Sequence, residues 1–240
     1  MALPVSFLDH LRTEGYHPRS DKHSNALARA IVHDFLETCP LAGERAAKGE
    51  LVFDLNFDLI YGGSQWNVDL VLGAPAPPVM RPPDGAAIRQ VSPSRVQIAI
   101  ELKSVMTEHR KAIRNRKRDL EAHHEHVHNY DDRTIAGGVM VLNIAPTFWS
   151  PLRPPGVITK HRNVVALVEY CVNQLRNVTE RNRLGVPGLD AKAALVVSMD
   201  NQNLATTTYH HRAPAPQIGD PIHYDAFIQR LCATYNDRFR

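Results

Sequence analysis

The sequence predicts an α/β protein with a mixed central β-sheet flanked by helices on both faces. Residues 51–61 alternate apolar and polar side chains, as a half-buried strand does. Residues 139–144 and 193–198 are continuous apolar runs, typical of strands covered on both faces. Four longer segments carry apolar residues at helical spacing, which indicates amphipathic helices.

The first elements are a helix and a hairpin. A helix is expected over 21–38, because apolar residues recur there at three- and four-residue spacing and Cys39-Pro40 follows. Strands over 51–61 and 66–72 are separated by Gly62-Gly63-Ser64, which predicts a hairpin turn.

A proline- and glycine-rich loop is expected over 73–93, followed by a strand over 96–103. The next predicted element is a long charged helix over 107–129, with Thr107 as its cap. Its apolar seam has a spacing of seven residues and consists of Ile113, Leu120 and Val127.

The second half of the chain predicts strand–helix–strand crossovers. The expected elements, in order, are a strand over 139–144 after Gly137-Gly138, a bend over 146–156, a helix over 163–180, a strand over 193–198 and a helix over 224–235. Consecutive strands followed by such crossovers imply a mixed sheet. We interpret residues 1–240 as one domain, with a core over 21–144 and a helix–strand–helix extension over 145–240.

The composition is that of an ordinary globular protein, with 43% hydrophobic and 22% charged residues. Three isolated cysteines suggest neither a disulfide framework nor a cysteine-rich metal site. No apolar run approaches the roughly 20 residues that span a bilayer, and the first residues do not resemble a signal peptide. We therefore expect a cytoplasmic protein without a membrane partner.

Positive charge is concentrated on the predicted helix over 107–129, although the formal net charge of the chain is only +3. Cations at three- and four-residue spacing suit a phosphate backbone, while a solvated helix face explains them equally well. The candidate DNA-binding residues are Arg110, Lys111, Arg114, Lys117 and Arg118.

Glu101 and Lys103 end the strand over 96–103 and carry the clearest chemical signal. Side chains alternate along a strand, so these two share one face, roughly 6–7 Å apart, while Ile98, Ile100 and Leu102 point to the other. Asp69 interrupts the preceding strand. A hydrated divalent cation fits beside such a set of side chains.

Asp69, followed by Glu101-Leu102-Lys103 on the next strand and then a helix, resembles the PD-(D/E)xK nuclease superfamily, which has the fold of many restriction endonucleases. The resemblance implies a restriction-endonuclease-like core of order αβββαβ, with Asp69 and Glu101 as magnesium ligands and Lys103 orienting the attacking water. Asn67-Val68 stands where a proline often precedes the first acid.

The chemistry of phosphodiester hydrolysis explains this choice of residues. The reaction needs a hard cation to neutralise charge on the phosphoryl oxygens and to activate water near neutral pH. Mg²⁺ keeps several waters, so one or two carboxylates suffice, here Asp69 and Glu101 with the main-chain carbonyl of Leu102. Mn²⁺ is expected to substitute. Glu37 and Gln97 are further candidate site residues.

The preferred interpretation is a Mg²⁺-dependent deoxyribonuclease of the restriction-endonuclease type, acting on DNA as a homodimer. No Walker A motif or other nucleotide-cofactor signature is present, and no clustered cysteines suggest an iron–sulfur exonuclease. The alternative is a DNA-binding or scaffold subunit whose acids serve structural ion pairs.

Two other motifs offer alternative candidate sites. The run His123-His124-Glu125-His126-Val127-His128 places His124 and His128 four residues apart, which suits a zinc hydrolase whose third ligand stays open among His109, His210, His211 and His223. A second acid-x-Lys match, Asp190-Ala191-Lys192, lies in a predicted loop before a strand. Only the first match ends a strand, follows an acid-bearing strand and precedes a long helix.

Overall fold

The computed structural model describes residues 3–76, 81–154 and 156–240. Over these residues the chain forms an α/β structure with six helices and a mixed seven-stranded central sheet. The predicted fold class is therefore confirmed at the level of a mixed sheet with helices on both faces. Among the described helices, none has the length and apolar character needed to cross a membrane.

The helices are α1 (Val5–Glu14), α2 (Lys22–Thr38), α3 (Pro40–Lys48), α4 (His109–Tyr130), α5 (Val164–Arg176) and α6 (Tyr224–Phe239). The strands are β1 (Val52–Tyr61), β2 (Ser64–Ala74), β3 (Arg89–Gln90), β4 (Arg95–Val105), β5 (Ile135–Asn143), β6 (Thr147–Trp149), β7 (Ile158–Lys160), β8 (Ala191–Ser198) and β9 (Thr208–Tyr209).

The central sheet has the order β3-β1-β2-β4-β5-β8-β9, and β6 and β7 form a separate hairpin. The pairs β1–β2, β2–β4 and β8–β9 are antiparallel, whereas β1–β3, β4–β5 and β5–β8 are parallel. Buried side chains of α1, α2, α3 and α6 form one core layer, and those of α4 and α5 form the other. The predicted extension thus supplies β8 directly beside β5.

Two helices were not expected from the sequence. In α1 only Phe7, Leu8 and Leu11 are buried, and no side chain caps the helix, so the pattern is short and weak. Pro40 suggested the end of a helix, but it occupies the first turn of α3, where its missing N–H costs nothing.

The predicted start of the long helix was wrong by two residues. Thr107 does not cap α4, because the helix begins at His109 and is preceded by Glu108 in a left-handed conformation (φ 51°). Its apolar seam is as expected, since Ile113, Leu120 and Val127 are all fully buried.

The β1–β2 hairpin forms through the predicted glycine turn. Gly62 and Gly63 have φ values of 56° and 81°, a conformation that glycine adopts without the cost of a Cβ. Residues 75–76 and 81–93 belong to the expected excursion, except that Arg89–Gln90 add a short parallel strand to β1. Residues 77–80 of this excursion lie outside the described residues.

Gly137 and Gly138 lie inside β5 rather than before it, because helices approach the strand closely from both sides. A Cβ on Gly137 would stand 3.4 Å from the Phe227 ring of α6, and one on Gly138 would stand 2.9 Å from Leu120 of α4. Gly138 is also the register partner of Glu101. Gly138 therefore sets how close α4 comes to the candidate site.

Gly73 is expected to be intolerant of even one methyl group. The β2–β4 register shifts between Leu72 and Gly73, and a Cβ on Gly73 would lie 2.0 Å from the main-chain oxygen of Arg95. We expect Gly73→Ala to lower the free energy of unfolding by about 2–4 kcal/mol, because backbone must move to relieve the overlap. Urea denaturation measures this. Gly43→Ala in α3, whose Cβ would come no closer than 3.3 Å to Leu36, should change stability by less than about 1 kcal/mol.

Candidate active site where two strands separate

The predicted residues Asp69, Glu101 and Lys103 lie together at the point where β2 and β4 part. The described antiparallel pairing of these strands ends at Leu70 and Ile100. Beyond that point the main-chain N–H of Leu102 donates to Asp69 Oδ2 over 2.7 Å. The carboxylate thus replaces a strand-to-strand hydrogen bond, which fixes its position next to β4.

Lys103 links the two carboxylates. Its ammonium donates to Glu101 Oε1, and its Nζ lies 3.8 Å from Asp69 Oδ2. The expected face of β4 is confirmed, because Ile98, Ile100 and Leu102 pack in the core layer of α1, α2, α3 and α6. The two charged residues face α4 instead.

Burial determines the electrostatics of the two acids. Glu101 is 3% exposed, and burial together with nearby Asp69 raises its pKa to about 7, against the opposing influence of Lys103. Burial likewise raises the pKa of Asp69, although Lys103 and the Leu102 N–H favour its charged form. For Lys103, burial lowers the pKa, but the two carboxylates outweigh it and the net shift is upward. Lys103 therefore carries its proton at neutral pH.

One oxygen of Glu101 lacks a hydrogen bond. Oε2 is buried and has no hydrogen-bond partner among the described residues. His123 Nδ1 lies 3.7 Å from this oxygen. The His123 ring is fully buried and contacts the Ala99 main-chain oxygen through Nε2, and burial lowers its pKa to about 3. A neutral imidazole leaves the negative charge of Glu101 uncompensated on that side.

Helix α4 brings further charged groups to the site that the sequence did not single out. The guanidinium of Arg116 favours the charged form of Asp69, and Asp119 acts on both Glu101 and Lys103. Arg116 Nη1 lies 3.2 Å from Asp119 Oδ2. The spacing of the sequence does indicate that Arg116 and His123 lie on the buried side of α4. Each follows a residue of the apolar seam, Ile113 or Leu120, by three positions.

The structure does not bring Glu37 to the site. Glu37 is exposed near the C-terminal end of α2, whereas Asp21, at the other end, is the residue that acts electrostatically on Asp69. The two ends of this helix are separated by roughly 24 Å, given a rise of about 1.5 Å per residue. Glu37 therefore does not lie with Asp69 and Glu101.

Gln97 does not lie on the face of Glu101 either, because β4 carries a bulge. The register shift beside Leu72 and Gly73 leaves Gln97 without a paired partner between Val96 and Ile98. Its Oε1 accepts from the Tyr235 hydroxyl of α6 over 3.2 Å. Gln97 therefore faces the opposite helix layer from Glu101.

The side chains of β2 do not alternate regularly around Asp69. Leu70 and Leu72 pack in the core layer of α1, α2, α3 and α6, whereas Val68 packs with Val71 in the layer of α4 and α5. The change of face coincides with Asn56, which stands opposite Asp69 on β1 and has a φ of 51°. The alternation of side chains along β2 is therefore irregular next to Asp69.

The five candidate DNA-binding cations of α4 take different environments. Arg110 lies over the Tyr170 ring, Lys111 Nζ stands 4.0 Å from Glu108, and Lys117 Nζ stands 3.4 Å from Glu121. Arg114 and Arg118 are exposed on α4. Among the five, Lys111 lines the same cleft as Arg116.

No protein-family model, no curated protein and no solved structure matches this chain.

The histidine run serves packing in this structure. His124 accepts from the Gly188 N–H over 3.3 Å, His128 Nε2 lies 3.5 Å from Asp190, and the half-buried His126 stacks on Trp66. His109 contacts the Asn143 main-chain oxygen. The other three candidates for a third zinc ligand line a separate cavity of about 300 Å³ and are His210, His211 and His223.

The second acid-x-Lys match is a buried structural network. Asp190 is 2% exposed and accepts hydrogen bonds from Arg181, Arg238 and the Ala136 main-chain N–H. Lys192 donates to the main-chain oxygens of Arg176 and Val178. Both Asp190 and Lys192 therefore make their hydrogen bonds within the fold.

Within the described ranges, no cluster of three or more His, Cys, Asp or Glu side chains is arranged to hold a metal ion. Asp69 and Glu101 form a pair of carboxylates, with one buried oxygen lacking a hydrogen bond. This donor set fits Mg²⁺, which binds through one or two carboxylates and keeps several waters. The role expected for the Leu102 carbonyl stays a prediction.

The raised pKa of Glu101 predicts that a divalent cation stabilises the protein more at higher pH. Its pKa of about 7 in the folded protein exceeds the ordinary value of 4.5, so this group contributes most stability below the ordinary value and loses it as pH rises toward 7. A cation that replaces the proton should reverse this loss. We expect the rise in Tm on adding MgCl₂ to be larger at about pH 8 than at about pH 5.

Differential scanning fluorimetry measures this dependence. In Glu101→Gln the pH dependence of the Mg²⁺ effect should disappear, while Glu44→Gln, which changes an exposed carboxylate of α3, should behave like the parent. An equal Mg²⁺ effect at both pH values in the parent protein would contradict the prediction.

Proposed function

We propose that this protein is a Mg²⁺-dependent nuclease that hydrolyses DNA phosphodiester bonds, built on a restriction-endonuclease-like core. The observation that supports the proposal is the convergence of Asp69, Glu101 and Lys103 where β2 and β4 separate. A buried carboxylate oxygen of Glu101 has no hydrogen bond among the described residues and lies beside a second acid, as an oxygen that binds a metal ion would.

Each residue has a distinct task in the proposed reaction. Asp69 and Glu101 would hold the cation, and the Leu102 N–H keeps Asp69 in place. Bound Mg²⁺ supplies charge neutralisation at the phosphoryl oxygens and lowers the pKa of water. Lys103, protonated between the acids, would orient the attacking water or stabilise charge that develops on the phosphate.

Arg116 would add positive charge on the α4 side of the site. Its influence on Asp69 indicates that it lies close enough to act on a bound phosphate as well. We also propose that the protein acts as a homodimer, with one site for each DNA strand. Mn²⁺ would replace Mg²⁺ in the same site.

Plasmid cleavage tests the proposed activity directly. We expect the protein to convert supercoiled plasmid to nicked or linear forms in the presence of Mg²⁺ or Mn²⁺, and to lose this activity in EDTA. Cleavage should also be lost in Lys103→Ala. Absence of cleavage by the parent protein across varied DNA targets would favour the non-catalytic scaffold instead.

A further inference from the structure

A cleft of about 280 Å³ opens beside the candidate site, between α4 and the β6–β7 hairpin. We call it the α4 groove. Lys111, Asn115 and Arg116 of α4 line one side and Ser150 lines the other, while Ser104 joins it to Lys103 along β4.

The base of the α4 groove is ordered by buried contacts. The Tyr16 hydroxyl and Ser104 Oγ share a hydrogen bond of 2.9 Å, and the Phe148 side chain is 1% exposed. The Tyr16 and Phe148 rings meet edge to face with centroids 6.2 Å apart. The groove is therefore a preformed feature that begins next to the site.

The chemistry of the groove suits phosphate. Its lining includes two cations and one acid, Glu108, together with the hydroxyl groups of Ser104 and Ser150 and the amide of Asn115. The Lys111 side chain is 82% exposed and stands 4.0 Å from Glu108, a surface ion pair too weak to compete strongly with a ligand. Arg116 Nε has no hydrogen-bond partner among the described residues.

The positive track continues past the groove. Lys111 also lines an adjoining open cavity of about 380 Å³ together with Arg110 and His161. Cations thus follow one another from Lys103 through Arg116 and Lys111 to Arg110.

We propose that the α4 groove binds the phosphate backbone of the nucleic-acid strand whose scissile bond lies at Asp69, Glu101 and Lys103. This inference rests on the proposed function, since it names where the substrate of that site lies. It selects Lys111, Asn115 and Arg116 from the many polar residues of α4 and gives the strand a direction, along α4 toward its N-terminus.

Binding without catalysis tests the groove. Fluorescence anisotropy with a fluorescein-labelled DNA duplex in EDTA measures affinity between about 50 and 200 mM salt. We expect Lys111→Ala to weaken binding about 3- to 10-fold and to reduce the slope of log K against log salt by about 0.9, the value for one lost phosphate contact. Asn115→Ala should weaken binding without changing the slope, because it removes a neutral donor.

The matched control is Lys48→Ala. Lys48 is an exposed cation of α3, on the other face of the sheet, so its removal changes the net charge equally and should leave affinity and slope at the parent values. If Lys111→Ala shows the same affinity and salt slope as Lys48→Ala, the proposed role of the α4 groove is wrong. It is also wrong if the parent protein does not bind the duplex.

The plasmid assay separates the two proposals. If the parent and Lys111→Ala cleave plasmid equally well and bind the duplex equally well, the proposed role of the α4 groove is wrong and the proposed nuclease activity stands. Lys111-dependent binding by a parent that never cleaves DNA would support the groove and remove the catalytic proposal.

Discussion

Asp69→Asn is expected to lower Mg²⁺-dependent DNA cleavage about a thousandfold. The substitution removes one of the two negative charges that would hold the cation, and electrostatic groups of this kind typically account for such factors. The asparagine oxygen can still accept the Leu102 N–H, which now bonds Asp69 Oδ2 over 2.7 Å, so the strands should keep their places. Initial rates of plasmid nicking at saturating Mg²⁺ measure the effect.

The matched control is Asp58→Asn on the neighbouring strand β1. Asp58 Oδ1 accepts from Asn67 over 2.9 Å at the surface, and its carboxylate makes no contact with Lys103 among the described residues. Cleavage by this variant should equal that of the parent. Equal cleavage by parent, Asp58→Asn and Asp69→Asn would exclude Asp69 from the catalytic site.

Asp190→Ala is expected to give the largest loss of stability, about 3–5 kcal/mol. Arg181 is fully buried, and its Nε lies 2.8 Å from Asp190 Oδ1, so removal of the carboxylate leaves a buried guanidinium without its main partner. Arg238 and His128 lose the same partner. Urea denaturation monitored by circular dichroism measures the change.

The effect should depend on pH. Burial acts to raise the pKa of Asp190, but nearby His128 and the hydrogen bonds from Arg238 and Arg181 outweigh it and hold the pKa well below its usual range. A lowered pKa contributes stability above the unfolded value of about 3.9 and loses it as pH falls further, so the difference from the parent should shrink below about pH 4.

The control for charge removal is Asp9→Ala. Asp9 also pairs with an arginine, Arg12, but at the surface and over 3.4 Å, so its loss should change the free energy of unfolding by less than about 1 kcal/mol. A similar cost for both variants would show that the buried network around Asp190 contributes no special stability.

Sequence patterns predicted the elements that carry long or regular apolar signals. Strands β1, β2, β4, β5 and β8 and helices α2, α4, α5 and α6 lie where periodicity placed them, with ends shifted by a few residues. The convergence of Asp69 with Glu101 and Lys103 followed from alternation on adjacent strands. These properties depend on local spacing, which one sequence displays directly.

The missed features depend on contacts between distant segments. Gln97 was misplaced because a bulge opposite Gly73 reverses its face, and the bulge depends on how β2 meets β4. His123 and Arg116 reach the site only because α4 lies close to the sheet over Gly138. Periodicity gives the face of a helix, but it does not say which strand that face will cover.

The position of α6 has a consequence for how the protein is made. This helix packs against β8, β5 and α2, so it covers the strand that lies beside β4 and its acids. During synthesis the residues of the candidate site leave the ribosome long before Tyr224–Phe239 do. Until then α6 covers neither β5 nor β8, so a nascent chain should hold the candidate site residues without their supporting framework. If the proposed function is right, DNA cleavage would then begin only after α6 has been translated.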